Sequence, residues 1–349
     1  MSELAHGAGC ACKLGPAALG EALSRLVPPA AADLVVGLDT GDDALVWRWS
    51  EDRYLVATTD FFAPIVDDAE LFGRIAATNA VSDIYAMGAR PLFALNIVGW
   101  PADQPLDVLG DILVGGQAAA VEGGWVVAGG HTIDSPEPFY GQAILGELAP
   151  AALLTNAGAR PGEAVVLTKP LGIGAVTTAA KAEPEDGEIA QMLGRAVDQM
   201  VRSNAQASAV ALEAQASACT DVTGFGLVGH LAKLAAASGC SIELDVGAIP
   251  QIPGVWELIQ RGTIPGGTGR NRRWLGKRVV AANGLDETET WCNLLADPQT
   301  SGGLVFTCPK DRAQHSVDTL RGTGHDASVI GRTIDRTAAD IILTPSRRS

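Results

Sequence analysis

Strand-like segments alternate with helix-like segments along this chain, and the alternation restricts the fold to an α/β or α+β protein. The strand-like segments are short, apolar and rich in β-branched or aromatic residues: Tyr54–Thr59, Leu92–Trp100, Trp125–Gly130 and Ala164–Thr168. The segments with helical spacing are longer: Leu71–Met87, Glu188–Ala216 and Phe225–Ser238. We therefore expect sheets covered by helices.

The length of 349 residues suggests roughly two domains of about 150 residues each. The segment PAALLTNAGARP, from Pro150 to Pro161, is rich in Ala, Gly and Pro, which indicates a junction near Ala157. We predict an N-terminal domain over residues 21–156 and a C-terminal domain over residues 157–349. Residues 1–20 form a separate, mobile, glycine-rich segment in this prediction.

Charge and hydropathy exclude several classes of protein. The net charge of -15, from 40 acidic and 25 basic residues, argues against a nucleic-acid partner. The apolar segments fall short of the ~20 residues that span a bilayer, and the N-terminus lacks a signal-peptide pattern, so we expect a cytoplasmic protein with no membrane partner. One basic cluster, Gly269–Arg278, is either a solvated loop or a contact for a small phosphorylated ligand or an acidic neighbour.

The N-terminal stretch HGAGCACKLGP, His6–Pro16, places two cysteines and a lysine among glycines. Free cysteines are usually buried as small apolar residues, which is the interpretation we give to Cys219, Cys240, Cys292 and Cys308. A glycine-rich tail offers no such burial. Cys10, Cys12 and Lys13 are therefore candidates for chemistry.

Short acidic motifs carry the main chemical signal. They contain Asp42 and Asp43 in GDDALV, Asp60 in ATTDFF, Asn79 and Asp83 in AATNAVSDIYAMG, and Asp221 in CTDVTGFGLVGH. Any one of these residues alone is typical of a cap or a turn. Several carboxylates gathered together would repel an anion unless divalent cations lie between them, and Mg²⁺ prefers such oxygen ligands. The motifs thus predict a magnesium site that binds a polyphosphate.

Four glycine-rich segments complete the pattern, and we expect turns whose N–H groups face phosphate oxygens. They are AGGHTID, KPLGIG, PGGTGRN and DPQTSGGL. The Walker A pattern GxxxxGK[ST] is absent from the sequence.

With these motifs in view, the chain resembles the selenophosphate synthetases (selenide, water dikinases), a family in the superfamily that includes aminoimidazole ribonucleotide synthetase. The resemblance covers nearly the whole chain. It is carried, in order, by HGAGCACK, DDALV, TTDFF, GRIAATNAVSDIYAMG, AGGHTID, TKPLGIG, TDVTGFGLVGHL, PGGTGRN and DPQTSGGL.

The resemblance implies that ATP, selenide and water are converted to selenophosphate, orthophosphate and AMP, which supplies activated selenium for selenocysteine and selenouridine synthesis. It implies Mg²⁺ as a cofactor, K⁺ as a further candidate cation, and ATP bound between two α/β domains. It also implies a homodimer in which N-terminal strands of both subunits form a barrel. A selenium-delivery protein is a candidate partner.

The resemblance also assigns residues. It gives Cys10 and Lys13 as the reactive pair, and it leaves open whether Cys10 carries, orients or admits selenium and whether Cys12 assists. The metal carboxylates are Asp43, Asp60, Asp83 and Asp221. The nucleotide-binding residues are Asp43, Thr58, Thr59, Asp60, Asn79, Asp83, Gly129, Gly130 and Thr132. We expect the N-terminal segment to close over bound nucleotide, where Lys13 lowers the pKa of the Cys10 thiol.

Two alternatives stay open at this point. Another ATP enzyme of the superfamily, such as an aminoimidazole ribonucleotide synthetase, a thiamine-phosphate kinase or a hydrogenase-maturation protein, would share the acidic motifs, but the Cys10–Lys13 segment disfavours it. A non-catalytic thiol protein that binds selenium or a soft metal through Cys10 and Cys12 would leave the acidic motifs unexplained.

Overall fold

The structure, a computed structural model, describes residues 1, 9, 13, 15–27, 31–38 and 41–345. The strands are β1 Leu34–Val36, β2 Leu45–Arg48, β3 Tyr54–Phe62, β4 Arg90–Trp100, β5 Val126–Asp134, β6 Phe139–Leu148, β7 Ala164–Leu167, β8 Ala218–Asp221, β9 Cys240–Asp245, β10 Val279–Ala281, β11 Leu304–Cys308, β12 Ser328–Asp335 and β13 Ile341–Thr344. The α-helices are α1 Pro16–Leu23, α2 Ala69–Ala86, α3 Leu106–Gly123, α4 Ile173–Ala182, α5 Gly187–Val201, α6 Ala205–Glu213, α7 Gly226–Ser238, α8 Val255–Gln260, α9 Gly266–Leu275, α10 Thr288–Leu295 and α11 Lys310–Gly322.

The first six strands form one sheet in the order β1-β2-β3-β6-β4-β5. The strands pair antiparallel except β4 and β5, which are parallel and joined by α3. Helices α2 and α3 pack on one face of this sheet. Among the described residues this sheet is open, with β1 and β5 as its edges.

The opposite face of the first sheet is apolar and exposed. Alternate residues of neighbouring strands point to it, because side chains along a strand alternate between the two faces. On strands β2, β3 and β4 its exposed large side chains are Leu45, Trp47, Phe61, Phe93 and Leu95. We call these five residues the open face.

The last seven strands form a second, mixed sheet in the order β10-β13-β9-β12-β7-β11-β8. Strands β7 and β11 are buried along their whole length, as expected for strands covered on both faces. The largest core cluster includes residues of both halves, among them Phe72 and Ile75 of α2 and Ile173 and Val176 of α4. The architecture is a mixed α/β protein with two sheets, as the alternation of segments predicted.

The predicted helix over Leu71–Met87 is confirmed by α2. Asp68 caps its first turn by accepting the Leu71 N–H at 2.8 Å, and the helix ends before Gly88, whose φ is +74°. The predicted helix over Phe225–Ser238 is confirmed by α7. In the described part of the chain, none of the helices combines the length and the apolar character needed to cross a bilayer.

The prediction of one long helix over Glu188–Ala216 is wrong. The segment forms two helices, α5 and α6, separated by residues 202–204. Arg202 leaves the helical region, with φ -71° and ψ 120°, and Asn204 is the N-cap of α6. The break turns the Arg202 carbonyl and the Asn204 side chain inward, where other parts of the chain bind them.

Two of the predicted glycine turns are also wrong. AGGHTID lies inside strand β5, because its backbone pairs in parallel with β4 from Asn96 to Trp100. PGGTGRN begins helix α9. The basic cluster Gly269–Arg278, which overlaps this segment, is helical rather than a solvated loop. Two of its arginines are paired: Arg272 binds Glu289, and Arg278 binds Asp340.

Candidate active site

Four aspartates converge in the region between the two halves of the chain. Asp43 lies just before β2, Asp60 on β3 and Asp83 on α2, whereas Asp221 ends strand β8 of the second sheet. Asp221 raises the pKa of both Asp43 and Asp83, and Asp60 raises that of Asp83, so the carboxyls interact electrostatically. Ligand atoms of Asp43, Asp221 and His230 all lie within 4.8 Å of one another. We call the four aspartates the carboxylate cluster.

Hydroxyl and amide groups orient these carboxylates. The Thr58 hydroxyl donates to Asp83 Oδ2 at 2.5 Å, and the Thr220 hydroxyl donates to Asp43 Oδ1 at 2.9 Å. The Asn79 amide donates to Asp60 Oδ2 at 2.6 Å. Asn79 and Asp83 lie one turn apart on α2, as their spacing predicted. Three of the four carboxylates, those of Asp43, Asp60 and Asp83, therefore have an orientation fixed by a neutral donor.

The electrostatics of the carboxylate cluster favour a cationic ligand. Burial, and then the charge of Asp221, raise the pKa of Asp43 well above its ordinary value. Burial likewise raises the pKa of Asp83 well above its ordinary value, and that of Asp221 to about 6. Among the described residues, the buried Oδ2 atoms of Asp43 and Asp221 have no hydrogen-bond partner. Hard oxygen atoms that repel each other and lack donors fit a divalent cation.

Lys13 lies against the carboxylate cluster. Its ammonium donates to Asp60 Oδ2 at 2.7 Å, although sequence separates the two residues by 47 positions. Gly9 is buried, and its N–H donates to the Ala63 carbonyl at 3.2 Å. A Cβ atom on Gly9 would lie 2.5 Å from Thr300 Oγ1, and its φ of +52° favours glycine. Cys10 and Cys12 lie outside the described residues.

Sequence reasoning missed two residues of α7 beside the carboxylate cluster. His230 accepts the Thr223 N–H through Nε2 at 3.1 Å, and burial followed by the Lys233 charge lowers its pKa well below the ordinary value. Lys233 lies over the Phe225 ring at 4.6 Å, and the negative charge of Asp43 opposes the lowering of its pKa by burial. Both follow TDVTGFG at a spacing of three residues, which places them on one face of a helix. That spacing was the available signal.

The structure separates the other predicted nucleotide-binding residues from the carboxylate cluster. Side chains alternate along β3, so Thr59 lies on the same side of the sheet as Phe61 of the open face, opposite to Asp60. Gly129, Gly130 and Thr132 lie on the edge strand β5, where they are exposed. Across the first sheet, Asp60 of β3 lies opposite Gln142 of β6, Gln142 lies opposite Asn96 of β4, and Asn96 lies opposite Gly130 of β5. Three spacings of ~4.8 Å place Gly130 about 14 Å from Asp60.

Comparison with known families matches most of the chain. Residues 41–148 match the N-terminal domain of the AIR synthase related proteins, and residues 160–344 match their C-terminal domain.

Curated relatives match over nearly the full length. A selenide, water dikinase of Caldanaerobacter subterraneus subsp. tengcongensis is 43% identical over 344 residues, which cover 98% of each chain. A selenide, water dikinase of Burkholderia pseudomallei is 44% identical over 97% of this chain and 95% of the relative. One of Myxococcus xanthus is 45% identical over 95% of this chain and 93% of the relative.

Solved structures with the same fold are more distant in sequence. Thiamine-monophosphate kinase from Stenotrophomonas maltophilia K279a is 19% identical, with a TM-score of 0.65 and 93% of each chain covered. The hydrogenase maturation protein HypE in complex with ATP is 20% identical, with a TM-score of 0.63, covering 92% of this chain and 86% of its own. These similarities establish the fold.

Proposed function

The chain belongs to the selenide, water dikinase family of AIR synthase related proteins, and from this premise we propose how its residues carry out the reaction. The protein converts ATP, selenide and water into selenophosphate, AMP and orthophosphate, which supplies activated selenium. The observation that best supports this function is the contact of Lys13 with the carboxylate cluster at Asp60. It joins the reactive segment to the residues suited to hold a metal polyphosphate.

In this proposal Asp43, Asp60, Asp83 and Asp221 hold Mg²⁺. The unpaired oxygens of Asp43 and Asp221 support this assignment, because a cation would satisfy both and would remove the repulsion that raises their pKa values. When bound, Mg²⁺ neutralises phosphate charge and allows a polyphosphate to approach an acidic site. K⁺ is retained as a further candidate cation on the resemblance alone.

The protein's own groups position ATP and selenide. Thr58 and Asn79 fix the carboxylates that face the phosphates. Lys13 offers a positive charge to the transferred phosphoryl group and exchanges its bond to Asp60 for one to phosphate. In the same segment, its charge favours the thiolate form of Cys10. Cys10 then receives or orients selenide, and Cys12 assists.

The three predicted nucleotide-binding residues of strand β5 have a different role from the carboxylate cluster. Gly129, Gly130 and Thr132 lie too far from Asp60 to bind the same phosphate. They would contact the far end of an extended nucleotide, and the exposed backbone of an edge strand offers N–H and C=O groups for such contacts.

The protein acts as a homodimer in this proposal. The open face supports it, because an exposed apolar patch on a sheet usually marks an interface. Two such sheets facing each other would close into a barrel. The division into residues 1–20, 21–156 and 157–349, a cytoplasmic location and a selenium-delivery partner complete the proposal.

Anaerobic phosphorus NMR of the purified full-length protein with ATP, Mg²⁺ and selenide tests the function. We expect a selenophosphate resonance that grows together with AMP and orthophosphate, and no such resonance without selenide. Lys13→Ala should abolish the product, whereas Lys277→Ala, at an exposed position of the basic cluster, should retain it. ATP consumption without selenophosphate would favour a related kinase or synthetase, and no consumption would favour a thiol carrier.

A further inference from the structure

A buried lysine outside the proposed catalytic set follows strand β7. Lys169 has no exposed surface, and its ammonium donates to two main-chain carbonyls, that of Arg202 at 2.6 Å and that of Ser301 at 2.9 Å. Burial, followed by the Arg202 charge, lowers its pKa to about 7, and Asp221 opposes this shift. Burying an ammonium is costly unless its donors are satisfied, so these two bonds need an explanation.

One of the carbonyls belongs to a tight turn before β11. Ser301 has a φ of +51°, which is unfavourable for a residue with a side chain. The turn is held by three side chains: Asn79 accepts the Ser301 N–H at 2.8 Å, Lys169 donates to the Ser301 carbonyl, and Asn204 donates to the Gly302 carbonyl at 2.9 Å. We call these two residues the Ser301–Gly302 turn.

The same asparagines reach the carboxylate cluster. Asn79 donates to Asp60 Oδ2 at 2.6 Å. Asn204 donates to Ser82 Oγ at 2.8 Å, and a hydrogen bond from Ser82 counteracts the raised pKa of Asp221. Asn79, Ser82 and Asn204 are each buried to 1% exposure or less. One hydrogen-bond chain therefore connects the turn to Asp60, and a second connects it to Ser82, the side chain that lowers the raised pKa of Asp221.

We propose that Lys169 is a positioning residue for the carboxylate cluster: by holding the Ser301–Gly302 turn, it fixes Asn79, which binds Asp60, and Asn204, which binds the Ser82 side chain next to Asp221. This inference rests on the proposed function, because it assumes that the carboxylates bind the metal. The break between α5 and α6 has a role in it, since the break frees the Arg202 carbonyl and places the Asn204 side chain. Lys169 itself touches neither metal nor substrate.

The test measures metal binding directly, by electron paramagnetic resonance of free Mn²⁺ during titration of the full-length protein. Lys169→Met keeps the apolar stem and removes the donors. We expect its Mn²⁺ affinity to fall about tenfold or more, the range typical for groups that orient metal ligands. Lys310→Met, at the exposed start of α11, should bind Mn²⁺ like the wild type.

A second control separates positioning from general loss of stability. Leu320→Ala removes a buried side chain of α11 that is not among the groups that hold the turn, and it opens a cavity in the core. It should lower the melting temperature without weakening Mn²⁺ binding. Lys169→Met should also be non-additive with Asn79→Ala, because both act through the same turn.

The outcomes are distinguishable. Wild-type Mn²⁺ affinity in a folded Lys169→Met protein, with weakened binding in Asp221→Asn, overturns the positioning role and leaves the proposed metal site intact. Unchanged affinity in Asp221→Asn overturns the metal site itself and the inference with it. If Lys169→Met does not fold, Asn204→Ala decides: it removes the bonds to Gly302 and Ser82, and full Mn²⁺ affinity in that variant refutes the proposal.

Discussion

The charge that makes Asp221 a proposed metal ligand also opposes the stability of the metal-free protein. Burial raises its pKa to about 6, and it raises the pKa values of Asp43 and Asp83 in turn. A buried charge near other charges of the same sign is unfavourable until a cation binds.

We expect Asp221→Asn to have opposite effects on activity and stability. Turnover of ATP should fall by two orders of magnitude or more, because a proposed metal ligand is lost. The melting temperature of the metal-free protein should rise by a few degrees, because a buried repulsive charge is removed. Calorimetry in EDTA and an ATP-turnover assay measure the two effects.

Asp198→Asn is the matched control, since Asp198 is exposed on α5. It should change neither property. A metal-free Asp221→Asn protein less stable than the wild type would contradict the electrostatic account of the carboxylate cluster.

Gly9 gives a second prediction, about the N-terminal segment. A Cβ atom there would lie 2.5 Å from Thr300 Oγ1 and 2.6 Å from Ile65 Cδ1. Gly9→Ala should therefore displace the segment and reduce selenophosphate formation by about tenfold or more, since small misplacements of reacting groups are costly. Nucleotide binding should remain, and phosphorus NMR with equilibrium binding of an ATP analogue would separate the two.

Gly20→Ala provides the control for the same substitution. Gly20 lies on α1, and no neighbouring atom lies within 4 Å of its added Cβ. Alanine favours a helix by up to about 1 kcal/mol over glycine, so activity should be retained. An equal loss of selenophosphate formation in Gly9→Ala and Gly20→Ala would argue against a specific packing requirement at Gly9.

Helix α4 begins at a buried carboxylate. Asp297 has no exposed surface, and its Oδ2 accepts the N–H groups of Gly174 at 3.0 Å and Ala175 at 3.3 Å. Burial raises its pKa to about 7, although these bonds and one from Gln299 oppose the shift. The unfolded carboxyl titrates near 3.9. Between these two values the folded protein binds the proton more tightly than the unfolded chain.

The free energy of unfolding should therefore fall as pH rises from about 4 to about 7. Asp297 contributes its stability fully below the unfolded pKa and loses it as pH passes the folded pKa, at no more than about 1.4 kcal/mol per pH unit. Asp297→Asn should give a shallower pH dependence, measured by urea unfolding in EDTA. Asp186→Asn, which changes an exposed N-cap of α5, should keep the wild-type slope; identical slopes in all three proteins would refute the role of Asp297.

Local pattern predicted the elements whose causes are local. Helix α2 has its cap, its spacing and its terminal glycine within one stretch of sequence. The break between α5 and α6 has a distant cause, because the groups that bind Arg202 and Asn204 are Lys169, Ser82 and Gly302. The helical spacing of apolar residues over Glu188–Ala216 does not indicate these partners. The strand β5 was missed past Gly130 for the same reason, since pairing with β4 sets its length.

The carboxylate cluster was predictable only as a set of motifs. Resemblance assigned Asp43, Asp60, Asp83 and Asp221 together, and the structure brings all four into electrostatic contact. Their neighbours Thr220, His230 and Lys233 went unnoticed because a single hydroxyl, imidazole or ammonium has many ordinary roles. The distance between β5 and Asp60 depends on strand order, which no motif encodes.

The open face allows a test of the proposed homodimer. Leu95 is 43% exposed at the centre of β4, beside β6, and it points away from α2 and α3. Leu95→Glu would place a charge in the proposed interface, where burying it unpaired is strongly unfavourable. We expect a monomer in analytical ultracentrifugation at concentrations where the wild type is a dimer.

Val114→Glu is the matched control, because Val114 is 53% exposed on α3, on the helical side of the same sheet. It should remain a dimer. If the β5 residues of one subunit complete the site of the other, Leu95→Glu should also lose ATP turnover while it keeps Mn²⁺ binding, since the carboxylate cluster lies within a single chain. A dimeric Leu95→Glu protein would move the interface elsewhere, and a monomer with full turnover would place the whole nucleotide site in one subunit.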